Sequence, residues 1–185
     1  MRRIDQQTKL LPMRPLFVTT LVLALLAGIA SAGPVLANLA AEQAVKADLV
    51  VVYKAERILQ LKRAGRVLET FPIALGRNPV GPKLQEGDGR TPEGVYTLDW
   101  RNPDSQFYRA IHISYPRDGE AVHAVRWGVS PGGQIMLHGL PNGVAAEQVG
   151  HPRRDWTNGC IALTNQQMDE IWARVEDGTT IIIYP

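Results

Sequence analysis

The sequence holds one cysteine in 185 residues, and the residue types around it are suited to covalent catalysis. Cys160 follows a turn-like segment, 157–159, and leads into a short apolar run. His138 ends another apolar run, so we expect it at the end of a strand, where the chain turns at Gly139. A thiolate is the attacking species, and free cysteine has a pKa of about 8.5, so a nearby base is needed. Cys160 and His138 are therefore predicted as nucleophile and base, the alternatives being an inert buried thiol and a hydrogen-bonded histidine.

Acyl transfer by a thiolate also needs hydrogen-bond donors that point at the oxyanion. The backbone N–H groups of Gly159 and Cys160 are the predicted donors, because glycine lets the chain turn tightly there. Asn158 offers a side-chain amide that can donate to the same oxyanion but carries no charge. Its alternative role is that of a turn residue that tolerates a positive φ.

The remaining histidines are His112, His123 and His151. His151 lies between His138 and Cys160 in the sequence and is a competing base, but its polar surroundings predict a solvated side chain. His112 and His123 have no partner motif. Four scattered histidines and one cysteine give no metal-ligand spacing, so we expect neither a metal nor another cofactor.

Two segments together resemble one enzyme family. The first is His138-Gly139, followed after a loop by the segment DWTNGCI at 155–161. This combination resembles the catalytic motif of the L,D-transpeptidase (YkuD-type) catalytic domain. The segment TPEGVY at 91–96 resembles the upstream Thr-Pro-x-Gly-x-aromatic segment of that family, and the resemblance covers roughly residues 47–185. Two departures mark a divergent branch: Asn158 stands where most members carry His or Arg, and Ala162 where many carry Arg.

The resemblance implies an enzyme that acts on the stem peptides of peptidoglycan. Cys160 would attack the carbonyl at the L-centre of a diamino acid, expel D-Ala and form a thioester, with His138 as proton acceptor. An acceptor would then resolve the thioester. If the acceptor is an amine of another stem, the product is a cross-link between stems. If it is an amine of a wall-anchored protein, the product is that protein attached to the stem. Water as acceptor gives a carboxypeptidase or an amidase. Transpeptidation is favoured as the majority behaviour of the family, and the two departures leave the acceptor open.

The carboxylates of such a substrate call for a cationic partner, and arginine is suited to bidentate carboxylate binding. The arginine usual at position 162 is missing. We name Arg153 and Arg154 beside Trp156, or Arg126, as substrate-binding candidates in its place. The alternative for these arginines is a solvated charged loop.

Two other classes of protein compete with this interpretation. A non-catalytic wall-binding module would keep the groove and lose the nucleophile or the base, yet His138 and Cys160 are both present. A papain-like protease would carry a Gln for the oxyanion before a cysteine that begins a helix, whereas Cys160 follows a glycine-containing turn.

The N-terminal residues have the pattern of a secretory signal. Basic residues precede the apolar stretch 16–30, and Ala30-Ser31-Ala32 fits a small-residue cleavage site. We expect a signal peptide at 1–32 (cleavage near 32/33 or 37/38), a short tether at 33–47 and the catalytic domain at 48–185. The expected location is the periplasm or cell envelope. The alternative is an uncleaved anchor, although the apolar core is short for a membrane span.

The charge of the chain gives no support for nucleic-acid binding. Lys and Arg number 20 against 18 Asp and Glu, but four of the basic residues and one acidic residue lie in the expected signal peptide. The remaining net charge of about −1 leaves no basic stripe of the kind that binds nucleic acid.

Hydrophobic patterning predicts a mainly β domain. Strands are predicted at 49–53, 57–62, 67–75, 95–99, 110–115, 134–138 and 179–184, the first three as an antiparallel meander. The Gly- and Pro-rich segment 76–94 predicts a functional loop. Thr164 and Gln167 form a capping box that opens one short helix, at about 165–175. The family resemblance implies a single-domain β-sandwich.

Overall fold

Eight strands and three helices make up residues 45–185, the part of the chain that the computed structural model describes. The mainly β class is confirmed. The strands are β1 (Leu49–Tyr53), β2 (Ile58–Arg63), β3 (Arg66–Pro72), β4 (Gly94–Ser105), β5 (Tyr108–Ile113), β6 (Met136–His138), β7 (Ile161–Ala162) and β8 (Thr179–Tyr184). The helices are α1 (Asp118–Arg126), α2 (Ala146–Val149) and α3 (Asn165–Arg174).

The predicted signal peptide at 1–32 lies outside the described residues, and so does the tether apart from its last three residues. Ala47 is buried, and its N–H donates to the Arg174 carbonyl at 2.8 Å. No helix within residues 45–185 is long and apolar enough to cross a bilayer.

The strands form one continuous curled sheet in the order β3-β2-β1-β8-β4-β5-β6-β7. β1 pairs in parallel with β8, and β6 pairs in parallel with β7. The predicted meander β1–β2–β3 is antiparallel, as expected. Two bridges, Ala74 with Ala162 and Gly76 with Thr157, join the chain after β3 to the region of β7. The two ends of the sheet are therefore tied together beside Cys160.

The two halves of the curled sheet enclose one hydrophobic core. Its members are aliphatic side chains that alternate along the strands and are withdrawn from water, each worth about 1.5–3 kcal/mol of burial. Examples are Val50, Val52, Leu59, Leu61, Leu98, Ile111, Ile113, Leu137, Ile161 and Ile181. Because the hydrogen bonding is continuous, the expected sandwich takes the form of one curled sheet rather than two separate ones.

The predicted helix is α3, and it ends one residue earlier than expected. Gln167 N–H donates to Thr164 Oγ1 at 3.2 Å, and Thr164 N–H donates to Gln167 Oε1 at 3.0 Å, which confirms the capping box. Met168 and Ile171 are fully buried against the sheet. The other two helices were not predicted. α1 buries only Ala124, so its sequence carries no apolar stripe to signal it, and α2 is a single turn.

The loop 76–93 lies between β3 and β4, where the Gly- and Pro-rich segment predicted it. Two buried ion pairs fix it. Lys54 Nζ lies 2.7 Å from Glu93 Oε1, and Lys83 Nζ lies 2.8 Å from Asp88 Oδ1. Both lysines are at most 5% exposed, so the loop is anchored from within despite its irregular backbone.

The N-cap of α3 gives a direct test of the local signal. Thr164→Ala removes the side-chain acceptor of the Gln167 N–H and is expected to lower the free energy of unfolding by about 1 kcal/mol. Denaturant unfolding followed by circular dichroism measures the change. Thr70→Ala, which removes a hydroxyl from an exposed position of β3, is the matched control and should change stability by less. Equal losses in both variants would contradict a stabilising cap.

Candidate active site

Strand pairing brings His138 and Cys160 to one face of the sheet. β6 and β7 are parallel, with His138 opposite Ala162. Cys160, two residues before Ala162, lies opposite Met136. Because residues two apart in a strand share a face, the side chains of His138 and Cys160 are directed into the same space.

That space is a cavity of about 440 Å³ that both side chains line. The other lining residues are aromatic, aliphatic or neutral polar: Asn102, Ser105, Gln106, Phe107, Ala110, Gln134, Met136, Trp156, Thr157 and Asn158. A larger cavity of about 660 Å³ lies between α1 and the loop 76–93, but neither His138 nor Cys160 lines it. We place the chemistry in the smaller cavity because it holds the nucleophile and base pair. Within residues 45–185, no three His, Cys, Asp or Glu side chains lie close enough together to hold a metal ion.

His138 is held in one orientation and one tautomer. Its ring centre lies 4.7 Å from that of Phe107 and 5.6 Å from that of Trp156. Nδ1 is 2.7 Å from the Gly139 carbonyl. Because a carbonyl only accepts hydrogen bonds, Nδ1 carries the proton and Nε2 keeps the lone pair. His138 can therefore accept a proton at Nε2.

Burial is the main influence on the protonation of His138. Only 4% of the surface of His138 is exposed. Burial disfavours the charged ring, so the pKa of His138 falls from 6.5 to about 4. The hydrogen bond to Gly139 opposes this shift, and positive charge on His151 adds to it. At neutral pH His138 is the uncharged imidazole that a general base requires.

The thiol of Cys160 is also neutral at physiological pH. Burial raises its pKa above the ordinary value, while a hydrogen bond from the Met136 backbone and the positive charge of Lys83 act in the opposite direction. Cys160 Sγ lies 3.6 Å from the Gln134 carbonyl. A neutral thiol and a neutral imidazole that line the same cavity are suited to proton transfer during the attack rather than to a preformed ion pair.

The turn before Cys160 needs glycine at position 159. Gly159 has φ of +131°, and a Cβ there would lie 2.6 Å from the Arg90 carbonyl oxygen. Thr157 Oγ1 accepts the Gly159 N–H at 3.1 Å and donates to the Cys160 carbonyl at 2.7 Å. Of the two predicted oxyanion donors, the Gly159 N–H is thus engaged inside the turn, and the Cys160 N–H is the one left to meet a substrate oxygen.

Asn158 lines the cavity beside Cys160. Its Oδ1 accepts a hydrogen bond from the guanidinium of Arg77. Asn158 is not among the residues with positive φ, so the alternative role of a left-handed turn residue does not apply. The amide group is oriented by Arg77 rather than by the turn itself.

The predicted substrate-binding residues separate into two groups. Trp156 lines the cavity and packs against His138. Arg153 and Arg154 are exposed and line no part of this cavity, and Arg126 is exposed on α1 and likewise outside it. The structure therefore brings Trp156 to the nucleophile and leaves the three arginines away from the cavity wall.

The prediction that His151 is solvated is wrong. Its side chain is 7% exposed, and neither ring nitrogen has a hydrogen-bond partner within residues 45–185. The His151 N–H donates to the Ala146 carbonyl at 2.9 Å, which ties the residue to α2, while its polar neighbours Arg153 and Arg154 are exposed. His151 does not line the cavity that contains Cys160.

Sequence reasoning did not identify several residues of the site. Phe107, from the turn between β4 and β5, and Gln134, from the segment before β6, line the cavity. From the loop 76–93, Arg77 donates to Asn158, and the positive charge of Lys83 acts on Cys160. These side chains reach the site through the curl of the sheet, and nothing in their local sequence signals it.

Comparison with known proteins identifies the fold and the family. Residues 47–183 match the L,D-transpeptidase catalytic domain (YkuD). The chain belongs to this family. YafK of Escherichia coli (strain K12), which its name assigns provisionally to the L,D-transpeptidases, is 30% identical over 150 residues, 74% of this chain and 53% of that protein. The chain thus spans about half the length of the curated relatives it matches.

Solved structures give the same fold. The helical cell shape determining protein Pgp2 from Campylobacter jejuni has a TM-score of 0.58 and 28% identity, covering 73% of this chain and 46% of that one. Bd1075 from Bdellovibrio bacteriovorus has a TM-score of 0.52 and 23% identity, covering 76% and 49%. The likeness to Bd1075 concerns the fold alone.

The pKa of His138 predicts an unusual pH profile for alkylation of Cys160 by iodoacetamide. Below pH 4 the protonated His138 cannot accept the thiol proton, so the rate is expected to rise as the pH increases through about 4, not through 6.5. Stopped-flow alkylation, with circular dichroism at each pH to verify folding, measures the midpoint. A midpoint near 6.5 would contradict a buried neutral imidazole.

His138→Gln should abolish that inflection and slow catalytic turnover on the order of 10²-fold, the usual scale for a positioned proton acceptor. His123→Gln, at an exposed position of α1, is the matched control and should retain the profile. His151 is unsuitable as a control because it is buried.

Proposed function

We propose that this domain is a cysteine-dependent enzyme that acts on peptidoglycan stem peptides, with L,D-transpeptidation as its reaction. The observation that carries the proposal is the placement of Cys160 and His138 in one cavity of a domain of this family. A competing wall-binding module would have no need of a nucleophile and an oriented base. A papain-like arrangement is disfavoured because Cys160 follows a turn and begins no helix.

In the proposed first step, the thiol of Cys160 attacks the carbonyl at the L-centre of the diamino acid while His138 Nε2 takes the thiol proton. The new S–C bond forms a tetrahedral oxyanion, to which the Cys160 N–H can donate. Collapse of this intermediate breaks the C–N bond, and the proton held by His138 passes to the departing amine of D-Ala. The product is a thioester on Cys160.

In the second step an acceptor amine attacks the thioester carbonyl, forms a C–N bond and passes a proton to His138. The C–S bond then breaks, and the proton on His138 passes to the departing sulfur, which restores the thiol of Cys160. The amine belongs to another stem or to a wall-anchored protein. The second candidate is hydrolysis, in which water takes the place of the amine and the enzyme is an L,D-carboxypeptidase or an amidase. The likeness to a cell-shape determining protein supports hydrolysis as the second candidate. Trimming of the cell wall, like cross-linking, changes the shape of the cell.

A carbapenem tests the nucleophile. The purified full chain is expected to gain the mass of one carbapenem on Cys160, whereas Cys160→Ser should gain none and lose turnover, because the serine hydroxyl has a much higher pKa than a thiol. Unfolding midpoints of both proteins establish that the fold is kept. An adduct on the serine variant, or turnover close to that of the wild type, would remove Cys160 as the nucleophile.

Product analysis on defined muropeptides separates the two candidates. A tetrapeptide donor incubated with an amine acceptor should give a dimer and free D-Ala. Tripeptide and D-Ala without any dimer would assign hydrolysis instead. Absence of both products, from protein that has reacted with the carbapenem, would contradict action on stem peptides.

We also propose that the protein is exported and works in the periplasm or cell envelope, on the strength of the apolar stretch 16–30 and the small residues that follow it. The N-terminus of the exported protein is expected near residue 33 or 38. Sequencing that returns Met1 would contradict cleavage and favour an anchor.

A further inference from the structure

The cavity around Cys160 has no charged side chain in its lining. The proposed substrate carries several carboxylates, and these must keep or replace the hydrogen bonds that water gives them. A cationic residue at the edge of the cavity would meet this need. No arginine of residues 45–185 lines the cavity wall itself. The three arginines named from the sequence also form no hydrogen bond to a residue that lines it, whereas Arg77 does.

We propose that Arg77 binds a carboxylate of the donor peptide at the edge of the Cys160 cavity, a role that rests on the proposed action on stem peptides. Arg77 follows β3 by five positions in sequence and is brought to the catalytic turn by the curl of the sheet. Its N–H donates to the Thr157 carbonyl at 3.0 Å, next to the bridge between Gly76 and Thr157. This backbone contact fixes Arg77 beside the turn that leads to Cys160.

The side chain of Arg77 is directed toward the cavity by a specific contact. Its guanidinium donates to Oδ1 of Asn158, which lines the cavity two residues before Cys160. This one hydrogen bond leaves further donors of the guanidinium for a second acceptor, since arginine carries five N–H groups in a planar fork. Asn158 is thus a positioning residue, and Arg77 is the residue that meets the substrate.

The charge of Arg77 is uncompensated within the described structure. Arg57, Arg101, Arg109 and Arg117 form ion pairs within residues 45–185. Arg77, like several exposed arginines farther from the cavity, has no carboxylate within 4.0 Å in this part of the chain. Its side chain is exposed, so it can reach an incoming anion. An exposed, unpaired guanidinium held against a charge-free cavity is electrostatically complementary to a carboxylate.

This arrangement also accounts for the two departures from the family pattern. Position 162 supplies no cation, because the residue there is Ala162, which is buried in β7. The neutral Asn158 can accept from Arg77, whereas a cationic side chain at 158 would repel it. The amide at 158 and the arginine at 77 therefore form one functional pair drawn from distant parts of the sequence.

Two alkylating reagents test the effect of the Arg77 charge without assuming that peptidoglycan is the substrate. Iodoacetate and iodoacetamide transfer the same carbon to Cys160, with iodide leaving and the thiol proton passing to His138, but only iodoacetate is an anion. Arg77→Gln should lower the ratio of the iodoacetate rate to the iodoacetamide rate by about fivefold, the scale of one surface charge at close range. Arg77→Lys should retain the ratio, and added salt should reduce it in the wild type and in Arg77→Lys but not in Arg77→Gln.

Arg66→Gln, which removes an exposed arginine at the start of β3, is the matched charge control and should leave the ratio unchanged. The iodoacetamide rate of each variant reports the reactivity of the thiol itself, so a purely structural role of Arg77 would slow both reagents alike. An unchanged ratio in Arg77→Gln, or an equal loss in Arg66→Gln, overturns the proposal. The proposal is also overturned if the ratio falls in Arg153→Gln or Arg154→Gln but not in Arg77→Gln.

Substrate analogues then identify which carboxylate is bound. The two sources are the C-terminal carboxylate of the leaving D-Ala and the carboxylate of the diamino acid. With the free tetrapeptide, Arg77→Gln should lower kcat/KM by about tenfold, the scale of one charge-assisted hydrogen bond. Amidation of the bound carboxylate should remove this dependence, while amidation of the other should leave it.

Equal losses on all three peptides would overturn the assignment of Arg77 to a carboxylate. Failure of the carbapenem reaction would instead overturn the proposed nucleophile. A third outcome is that Arg77→Gln lowers the ratio of the iodoacetate rate to the iodoacetamide rate while the wild type turns over no stem peptide. This outcome would contradict peptidoglycan as the substrate but would keep Arg77 as an anion-binding residue.

Discussion

Direct backbone contact between Gly76, Gly89 and Gly159 is the constraint on which the site depends. A Cβ on Gly76 would lie 2.2 Å from the Gly89 carbonyl oxygen and 3.0 Å from the Gly159 Cα, so side chains have no room there. The Gly76 N–H donates to Thr91 Oγ1 at 3.1 Å in the same layer. The chain after β3, the loop 76–93 and the turn before Cys160 consequently form one stacked unit. The position of the turn before Cys160 therefore depends on that of the loop.

The segment Asp155-Trp156-Thr157 shows how a divergent sequence can serve a common architecture. Asp155 accepts the Leu75 N–H at 2.9 Å and pairs with Arg57 at 2.8 Å, which ties the segment to the first meander. Trp156 covers one side of the His138 ring, and Thr157 closes the turn before Cys160. Three consecutive residues thus divide anchoring, shielding and turn formation among them.

The sequence allowed prediction of those features that have local signals. Alternating β-branched residues predicted the meander and β8, and Thr164 with Gln167 predicted the start of α3, because strand burial and capping depend on neighbours in sequence. α1 carries no such signal, since it packs through Ala124 alone. The helix α1 forms although its sequence has no apolar stripe. Tertiary contacts and a hydrogen bond at its N-terminus, from Arg117 N–H to Glu120 at 2.6 Å, stabilise it instead.

The candidate site divides in the same way. His138 and Cys160 were named from their motif, and the parallel pairing of β6 with β7 explains why a loop of some twenty residues separates them in sequence but not in space. Arg77 and Phe107 are set by the register of the curled sheet, which no single segment encodes. His151 was misjudged because its neighbours in sequence are polar and exposed, whereas its own side chain is buried.

The burial of His138 also links the folding of the domain to proton uptake. The unfolded chain binds a proton on this ring near pH 6.5, whereas the folded chain does so only near 4. As the pH falls through that window, protons favour the unfolded chain, at a cost to the folded state that reaches about 3 kcal/mol below it. Burial shifts the pKa of His151 in the same direction. A site built to keep its base uncharged therefore makes the whole domain less stable in mildly acidic surroundings.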